Sequence, residues 1–433
     1  MQNRTPLRRT RASQNSEASR MHDLMVELLE TADIRIDGHR NQDIQIHDRK
    51  LADRVFALGN LGLGEAYIEG HWDARQLDCF FHHLLAARLD QKVKPIRLAF
   101  HALRTRLLNR QTLKRAWRVG EAHYDLGNDF YAAMLDGRMT YTCGYWSGGA
   151  RTLQEAQETK LDMICRKLEL KPGLRLLDIG CGWGSLMGFA AEHYGVRCVG
   201  VTISKEQAAW AAERYKGLPI EFRLQDYRTV SEKFDRIASV GMFEHVGRKN
   251  HRTYMEVAHR CLADGGLFLL HTIGKNIRDA TPDPWIDKYI FPNGDLPSLG
   301  QIGDACDGLF VAEDLHNFGA DYDKTLMAWH ANFEHAWPRF KDRLGEHFYR
   351  MWSYYLLSCA GAFRARDIQL WQWVLSKKGV PGGYQRATQP SIARYRPSIE
   401  ETLTLASQST REASGAPIEP RLPDCSRATG SQG

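Results

Sequence analysis

The chain has 433 residues, of which 43% are hydrophobic and 25% charged, and its mean hydropathy is −0.46. This composition is typical of a folded globular protein and excludes full intrinsic disorder. No stretch of about 18 apolar residues runs without a charge, and residues 1–20 have no apolar core, so the sequence predicts neither a membrane span nor a secretory signal. The nine cysteines form no C-x-x-C pair, and no metal site is predicted. We therefore expect a cytoplasmic protein.

The net charge of +6 is concentrated in two segments. Residues 1–20 carry five arginines against one glutamate, and residues 92–118 carry nine lysines and arginines with no acidic residue. Apolar residues at helical spacing interrupt the second segment, which predicts a helix with one apolar and one cationic face. Such a helix suits an anionic membrane surface, although a linker helix packed on its own protein is an alternative. No recognition motif supports a nucleic-acid partner, and we expect none.

Two folded domains are predicted between two tails. Composition predicts disordered tails over residues 1–20 and 380–433. Residues 21–91 form a small N-terminal domain of α/β or α+β type, which we expect to associate with lipid. A basic amphipathic linker over residues 92–120 joins it to a larger catalytic domain over residues 121–379.

The catalytic domain is predicted to be a doubly wound, Rossmann-like α/β domain. Strand patterns alternate with helix patterns such as Ser185–His193 and Lys205–Tyr215, which is typical of a parallel sheet with helices on both faces. Two later helices are predicted over Asp323–Ala336 and Glu346–Ala362. The predicted strands are Arg175–Ile179, Arg197–Val201, Glu221–Leu224, Arg236–Val240 and Leu267–His271.

The sharpest motif follows the first predicted strand and reads Asp178-Ile179-Gly180-Cys181-Gly182-Trp183-Gly184. Glycines let the backbone approach a ligand closely, and the helix that follows presents free N–H groups. A dinucleotide fingerprint would require Gly or Ala at position 185, where this chain has Ser. The spacing therefore favours a ligand without a pyrophosphate, with a nicotinamide enzyme or a purely structural turn as alternatives.

Polar residues follow the next two predicted strands at the same edge of the sheet. Thr202, Ser204 and Gln207 come after the second strand, and Gln225, Asp226 and Tyr227 come after the third. Because ligands bind at the carboxyl ends of such strands, we expect these six residues to contact the cofactor. Simpler interpretations are a capping box formed by Ser204 and Gln207, and an exposed loop acid at Asp226.

Further motifs extend along the chain and identify a family. They include Tyr124-Asp125-Leu126-Gly127-Asn128, Tyr141-Thr142-Cys143-Gly144-Tyr145-Trp146, Gly241-Met242-Phe243-Glu244-His245-Val246-Gly247, Leu270-His271-Thr272-Ile273-Gly274 and Phe291-Pro292-Asn293-Gly294. In order, and with the glycine loop, they resemble the cyclopropane-fatty-acyl-phospholipid synthases, which are class I S-adenosylmethionine-dependent methyltransferases. The resemblance covers roughly residues 50–375.

The resemblance implies a function, two cofactors and a set of site residues. The family transfers the sulfonium methyl of S-adenosylmethionine to a cis double bond of a phospholipid acyl chain, and a bicarbonate ion then removes a proton so that a cyclopropane ring closes. The matching bicarbonate positions are Cys143, Glu244, His271, Ile273 and Tyr322. For His271 alone, a core histidine is the alternative. The resemblance places Tyr141, Thr142, Asp178, Gly180, Gly182 and Gly184 at S-adenosylmethionine, together with the six residues after the next two strands.

One further cysteine and several partners follow from the same resemblance. Cys359 matches a position assigned to the active site, although methyl transfer to an alkene needs no thiolate and burial in an apolar helix is the alternative. We expect unsaturated membrane phospholipids as substrates, peripheral attachment to the inner face of the membrane, and a homodimer. Two rival hypotheses are an acyl-chain methyltransferase that forms no ring and a non-catalytic lipid-binding protein of the same fold.

Overall fold

In the computed structural model, the described part of the chain is residues 11–93, 126–278 and 282–387, with side chains from residue 20 onward. The predicted basic linker lies outside it, apart from its first two residues, as do residues 1–10 and 388–433 of the predicted tails. Within the described residues, no helix combines the length and the apolar character needed to cross a membrane.

The N-terminal domain has α+β structure. Its two short strands pair antiparallel, and Trp72 at their end is fully buried among the surrounding helices. The first helix begins ten residues inside the predicted tail, because the chain from Met25 to Leu29 packs into the core and the helix extends ahead of it. The elements are α1 Arg11–Glu30, β1 Ile44–Ile46, α2 Leu51–Leu58, α3 Asn60–Ile68, β2 Trp72–Ala74, α4 Leu77–Ala86 and α5 Leu89–Lys92.

The catalytic domain is built on a seven-stranded sheet in the order β5-β4-β3-β6-β7-β9-β8. Its strands are β3 Arg175–Ile179, β4 Arg197–Thr202, β5 Ile220–Leu224, β6 Phe234–Val240, β7 Leu262–Lys275, β8 Val311–Asn317 and β9 Ile368–Ser376. The first five are parallel, whereas β9 pairs antiparallel with both β7 and β8. The strand order reverses between β3 and β6, which is where an open sheet of this type binds its ligand.

Helices cover both faces of this sheet. They are α6 Asn128–Met134, α7 Leu153–Lys167, α8 Ser185–Tyr194, α9 Lys205–Arg214, α10 His251–Cys261, α11 Pro284–Tyr289, α12 Leu299–Cys306, α13 Ala320–Ala336 and α14 Lys341–Arg364. Successive strand residues point to opposite faces, so Leu176 belongs to one buried core and Leu177 to another. The apolar runs of the parallel strands therefore follow from burial on both sides.

The predicted fold class and the five predicted strands are confirmed. The sequence analysis missed β8 and β9, since only the parallel strands carry the alternation with helices that marked the others. The predicted helix over Glu346–Ala362 is part of α14, which contains a kink at Gly345, whose φ is 73°.

Two sets of polar contacts join neighbouring segments of the chain to the catalytic domain. The Arg364 guanidinium lies between two carboxylates, 2.7 Å from Asp78 Oδ2 and 2.8 Å from Asp323 Oδ1, and so joins α4 to α13 and α14. After β9 the chain does not leave the domain at residue 380 as predicted. The Tyr384 hydroxyl donates a hydrogen bond of 3.0 Å to the Lys167 carbonyl, and Arg386 pairs with Asp314, so residues 380–387 pack against the sheet.

Candidate active site

A cavity of about 1390 Å³ opens where the strand order reverses. Its wall includes the glycine loop after β3, the ends of β6 and β7, and side chains of α13 and α14. A second part of the wall is apolar and comes from the N-terminal domain. The cavity is therefore lined by residues of both predicted domains.

The glycine loop has the backbone conformation that only glycine adopts easily. Gly180, Gly182 and Gly184 have φ values of 84°, 53° and 79°. A Cβ atom at Gly180 would lie 2.5 Å from the Met242 side chain, whereas a Cβ at Gly182 would project into open space within the cavity. The loop leads into α8, whose first N–H groups have no partner within the helix.

Asp178 lies at the base of this loop and is almost fully buried. Its Oδ1 atom accepts no hydrogen bond from the described residues, and burial raises the pKa of the carboxyl from 3.8 to about 7. The buried Lys160 ammonium opposes that shift and donates a hydrogen bond of 2.8 Å to Thr142 Oγ1. Lys160 also lines the cavity and was missed in the sequence, because a lysine in an amphipathic helix normally lies at the surface.

Of the predicted cofactor residues after β4, two form hydrogen bonds at the start of α9 and one lines the cavity. Ser204 caps α9 by accepting the Gln207 N–H at 3.3 Å, and Thr202 Oγ1 accepts the Ser204 N–H at 3.1 Å. The Gln207 side chain lines the cavity. Ser204 is thus the N-cap of α9, but the predicted capping box is incomplete, because the Ser204 N–H donates to Thr202 Oγ1 and not to the Gln207 side chain. Gln207 is the residue of the three that reaches the cavity wall.

After β5, the side chains are engaged with their own segment. Both Asp226 oxygens bind the Arg228 guanidinium at 2.8 Å, so Asp226 is a buried, paired carboxylate rather than the exposed loop acid of the simpler interpretation. Gln225 Nε2 donates to Thr229 Oγ1 at 2.9 Å. The Tyr227 ring packs in the core, 5.0 Å from the ring of Tyr254. Contact of this segment with the cofactor stays a prediction.

Glu244 follows β6 and faces the end of β7. Its Oε1 accepts the Ile273 N–H at 2.6 Å, while Oε2 is buried and has no hydrogen-bond partner in the described chain. Burial raises the pKa of this carboxyl from 4.5 to about 7. A buried acceptor of this kind suits a ligand that brings a donor to it.

His271 lies on β7 and is 1% exposed. Gln372 Nε2 is 3.1 Å from His271 Nδ1, whereas His271 Nε2 has no partner among the described residues although the side chain lines the cavity. Burial lowers the pKa of the imidazole well below 6.5, so the ring is neutral. Ile273, two residues later on the same face of the strand, also lines the cavity.

Aromatic rings surround the polar end of the cavity. Tyr322 on α13 stacks on Phe363 at a centroid distance of 4.5 Å and faces the cavity. The Tyr141 ring lies 5.1 Å from that of Trp329, and its hydroxyl is 3.0 Å from the Tyr355 hydroxyl. Trp183 of the glycine loop joins the same wall, a position that sequence reasoning did not single out.

Both predicted cysteines are uncharged thiols. Burial raises the pKa of Cys143 well above 9.0 and that of Cys359 to about 12. Cys359 lines the cavity, whereas Cys143 lies behind its wall, with its Sγ atom 3.1 Å from the Gly144 carbonyl. Neither thiol is activated as a nucleophile.

The predicted site residues therefore fall into two groups. Those in the cavity wall are Tyr141, Thr142, Asp178, Gly180, Gly182, Gln207, Glu244, His271, Ile273, Tyr322 and Cys359. Those outside the cavity wall are Cys143, Gly184, Thr202, Ser204, Gln225, Asp226 and Tyr227. The second group lies in the loop turns and helix caps that support the first.

Comparison with known proteins agrees with this geometry. The family model described as mycolic acid cyclopropane synthetase matches residues 111–373. The chain belongs to this family. The "Cyclopropane-fatty-acyl-phospholipid synthase" of Escherichia coli (strain K12) is 53% identical over 362 residues, which are 83% of this chain and 94% of that protein. The sequence-based recognition and the enzyme class, an S-adenosylmethionine-dependent methyltransferase, are confirmed.

Solved structures of the same family also match this chain. The cyclopropane synthase MmaA2 from Mycobacterium tuberculosis has a TM-score of 0.57 and 33% identity, covering 60% of this chain and 98% of that chain. Mycolic acid cyclopropane synthase CmaA1, complexed with SAH and CTAB, has a TM-score of 0.57 and 34% identity, with the same coverage. Both therefore correspond to only part of this chain.

The residues in the cavity fit S-adenosylmethionine. Its ammonium group needs an acceptor, and the unpartnered Asp178 Oδ1 is one. Its carboxylate needs donors, which the start of α8 supplies. The open space beside Gly182 leaves room for the ligand to approach the backbone.

Proposed function

We propose that this protein moves the methyl group of S-adenosylmethionine to the cis double bond of an unsaturated phospholipid acyl chain, and that a cyclopropane ring then closes. The observation that carries the proposal is the continuity of one cavity. It runs from the glycine loop, past Glu244 and His271, into an apolar part lined by the N-terminal domain. A methyl donor and a long apolar chain could thus meet at the polar end.

The apolar part of the cavity suits an acyl chain. An alkene offers no hydrogen-bonding group, so the protein must position it by shape and by apolar walls. The lining includes apolar side chains of α1, α2 and α4: Met25, Leu28, Leu29, Leu51, Val55, Phe56, Phe80, Phe81, Leu84 and Leu85. The N-terminal domain would therefore act in lipid binding, as predicted from the sequence.

The polar end suits a bicarbonate ion. Bicarbonate would supply the oxygen base that accepts a proton from the added methyl. Glu244 Oε2 and His271 Nε2 are two buried polar atoms without partners in the described chain, and both side chains face the cavity. A carboxylate that accepts and an imidazole N–H that donates complement an ion carrying one hydroxyl and two further oxygens. Cys143 and Ile273 would contribute backbone groups, and Tyr322 its hydroxyl.

Aromatic side chains would stabilise the positive charge that develops on the acyl chain. Methyl transfer to an alkene leaves a carbocation, and an aromatic face attracts a cation by roughly 0.5–2 kcal/mol. Tyr141, Trp183 and Tyr322 line the cavity near the glycine loop and the polar strand ends. Burial of this region also keeps water from the cation, which water would quench.

We further propose that the enzyme works in the cytoplasm at the inner face of the membrane and as a homodimer. The nine cations of residues 92–118 support membrane attachment, since each cation near an anionic surface contributes about 1 kcal/mol. Binding to vesicles with and without anionic lipid, at low and high salt, tests this part. Sedimentation of the purified protein tests the dimer.

The central experiment incubates the protein with S-adenosylmethionine and vesicles of a cis-unsaturated phospholipid. We expect mass spectrometry to detect the addition of one CH2 group and proton NMR to detect high-field ring protons. The same mass gain with olefinic or methyl-branch signals would instead identify a methyltransferase that forms no ring. Cofactor binding without lipid modification would contradict the proposed substrate.

A further inference from the structure

Behind His271, on the side away from the cavity, lies a row of polar side chains that crosses three strands. His271 on β7 pairs in register with Gln372 on β9, and Gln372 pairs in register with His316 on β8. Side chains opposite each other on neighbouring strands lie on the same face of a sheet and can touch. Lys167, at the end of α7, packs over this row.

Lys167 fixes the orientation of the Gln372 amide. Its ammonium donates 2.9 Å to Gln372 Oε1 and 3.1 Å to His316 Nδ1, and lies 3.8 Å from the Asp314 carboxylate. An ammonium can only donate hydrogen bonds, so the amide atom beside it must be the oxygen. The opposite orientation would place the NH2 group of Gln372 against a cation.

The amide orientation in turn determines which nitrogen of His271 carries the proton. With Oε1 held by Lys167, the Gln372 NH2 group faces His271 Nδ1 at 3.1 Å and donates to it. A neutral imidazole that accepts at Nδ1 carries its hydrogen at Nε2. Nε2 is the atom that is buried without a partner in the described chain, on a side chain that lines the cavity.

We propose that Lys167 and Gln372 are positioning residues that hold His271 as the Nε2–H tautomer, so that this nitrogen donates a hydrogen bond to the anion in the cavity. The inference rests on the proposed function for the identity of that anion, but the tautomer is a property of the protein alone. It gives a role to a lysine that is almost fully buried and to a glutamine that is fully buried, neither of which touches the reacting atoms.

The test replaces Gln372 by glutamate. Gln372→Glu has almost the same shape and keeps a partner for Lys167, but it offers His271 Nδ1 only an acceptor. We expect the proton to move to Nδ1, which leaves Nε2 without a hydrogen to donate. In protein with 15N-labelled histidine, the two ring nitrogens of His271 should exchange their protonated and unprotonated chemical shifts, with a His271→Asn spectrum providing the assignment.

The matched control is Gln369→Glu, three residues earlier on β9, where the amide contacts Arg366 and Asn317 instead of the histidine. It should leave the His271 spectrum unchanged. Lys167→Met removes the ammonium that orients the amide, and we expect it to give a mixture of both tautomers. An unchanged Nε2–H tautomer in Gln372→Glu would overturn the proposal, as would an Nδ1–H tautomer in the unmodified protein.

Activity measurements separate this inference from the proposed function. Mutation of the outer partners of a metal-ligating histidine typically costs about 10- to 100-fold in affinity or activity, and we expect the same scale for the partners of His271. We expect Gln372→Glu to raise the bicarbonate concentration needed for half-maximal rate by about that factor, with the KM for S-adenosylmethionine unchanged. A switched tautomer with unaltered activity would contradict the role of His271 as a hydrogen-bond donor to the anion. An unmodified protein that makes no product, but has the Nε2–H tautomer, would contradict the proposed function alone.

Discussion

The two ends of the cavity have opposite effects on the stability of the fold. At the apolar end, side chains such as Leu28 and Leu84 are partly buried against the hydrophobic core, and this burial stabilises the fold. At the polar end, Asp178, Glu244 and His271 each retain a buried polar atom without a hydrogen-bond partner in the described residues. Such atoms cost folding free energy. The comparison indicates that the polar residues serve the chemistry at the expense of stability, whereas the apolar residues serve both ligand binding and stability.

The largest expected effect is on the rate, from a change at the polar end. Glu244→Gln keeps the shape and an acceptor for the Ile273 N–H but removes the negative charge. We expect kcat for lipid modification to fall by ~100-fold or more, the range typical of proton-transfer groups. S-adenosylmethionine affinity, measured by calorimetry, should be unchanged. A variant with full activity would contradict the role of Glu244.

The same variant should be more stable than the original protein at alkaline pH. Burial raises the Glu244 pKa from 4.5 to about 7, so between these values the folded state binds more protons than the unfolded state. The free energy of unfolding contributed by this group therefore falls as pH rises through that window. Glu244→Gln should remove the loss, worth about 3 kcal/mol above about pH 8 and little near pH 4. Urea unfolding of the variant and of the original protein at both pH values tests this prediction. Equal stability of the two proteins at alkaline pH would contradict a stability cost of the buried Glu244 carboxylate.

A smaller effect is expected in the glycine loop. Gly182→Ala places a methyl group in open cavity space that the cofactor would use, at a φ of 53°. We expect S-adenosylmethionine affinity to fall by about 10-fold or more, with a stability cost of about 1 kcal/mol from the left-handed backbone. Gly217→Ala is the control, since that residue also has positive φ and open surroundings but lies outside the cavity wall. Equal affinity losses in both variants would exclude a local contact.

At the apolar end, the expected change is one of selectivity rather than of rate. Leu28→Trp fills part of the cavity, and one methylene more or less in an apolar pocket is worth about 1–3 kcal/mol. Long acyl chains should lose about 10-fold in kcat/KM relative to shorter ones. Leu24→Trp, one turn earlier on α1 at an exposed position, should leave the chain-length profile unchanged. A uniform loss across all chain lengths in Leu28→Trp would argue against an acyl site.

The smallest effect is expected at Cys359, one of the cysteines of the cavity wall. Because burial raises the pKa of Cys359 to about 12, the thiol stays protonated at neutral pH. Cys359→Ala should therefore retain activity within about 3-fold, since only packing is lost. Loss of activity comparable to that of Glu244→Gln would show that the thiol takes part in the chemistry.

Much of the fold and part of the site could be predicted from local patterns. The glycine loop, the five parallel strands and the cap at Ser204 are each encoded by residues close in sequence. The antiparallel pair β8 and β9 was not predicted, because these strands lie outside the regular alternation of strand and helix that marks the parallel strands. The packing of residues 380–387 was also missed, since it depends on single contacts with Lys167 and Asp314.

The sequence by itself determined the family, the cofactor loop and the polar residues that end the parallel strands. Only the tertiary structure decided which hydrogen-bond partners these polar residues have and where their protons lie. Glu244 meets the Ile273 N–H 29 residues away, and His271 meets Gln372 101 residues away on a strand that was not predicted. Lys167 reaches Gln372 across 205 residues. The proton position on a buried imidazole depends on which atom faces it in space, and no local pattern in the chain contains that information.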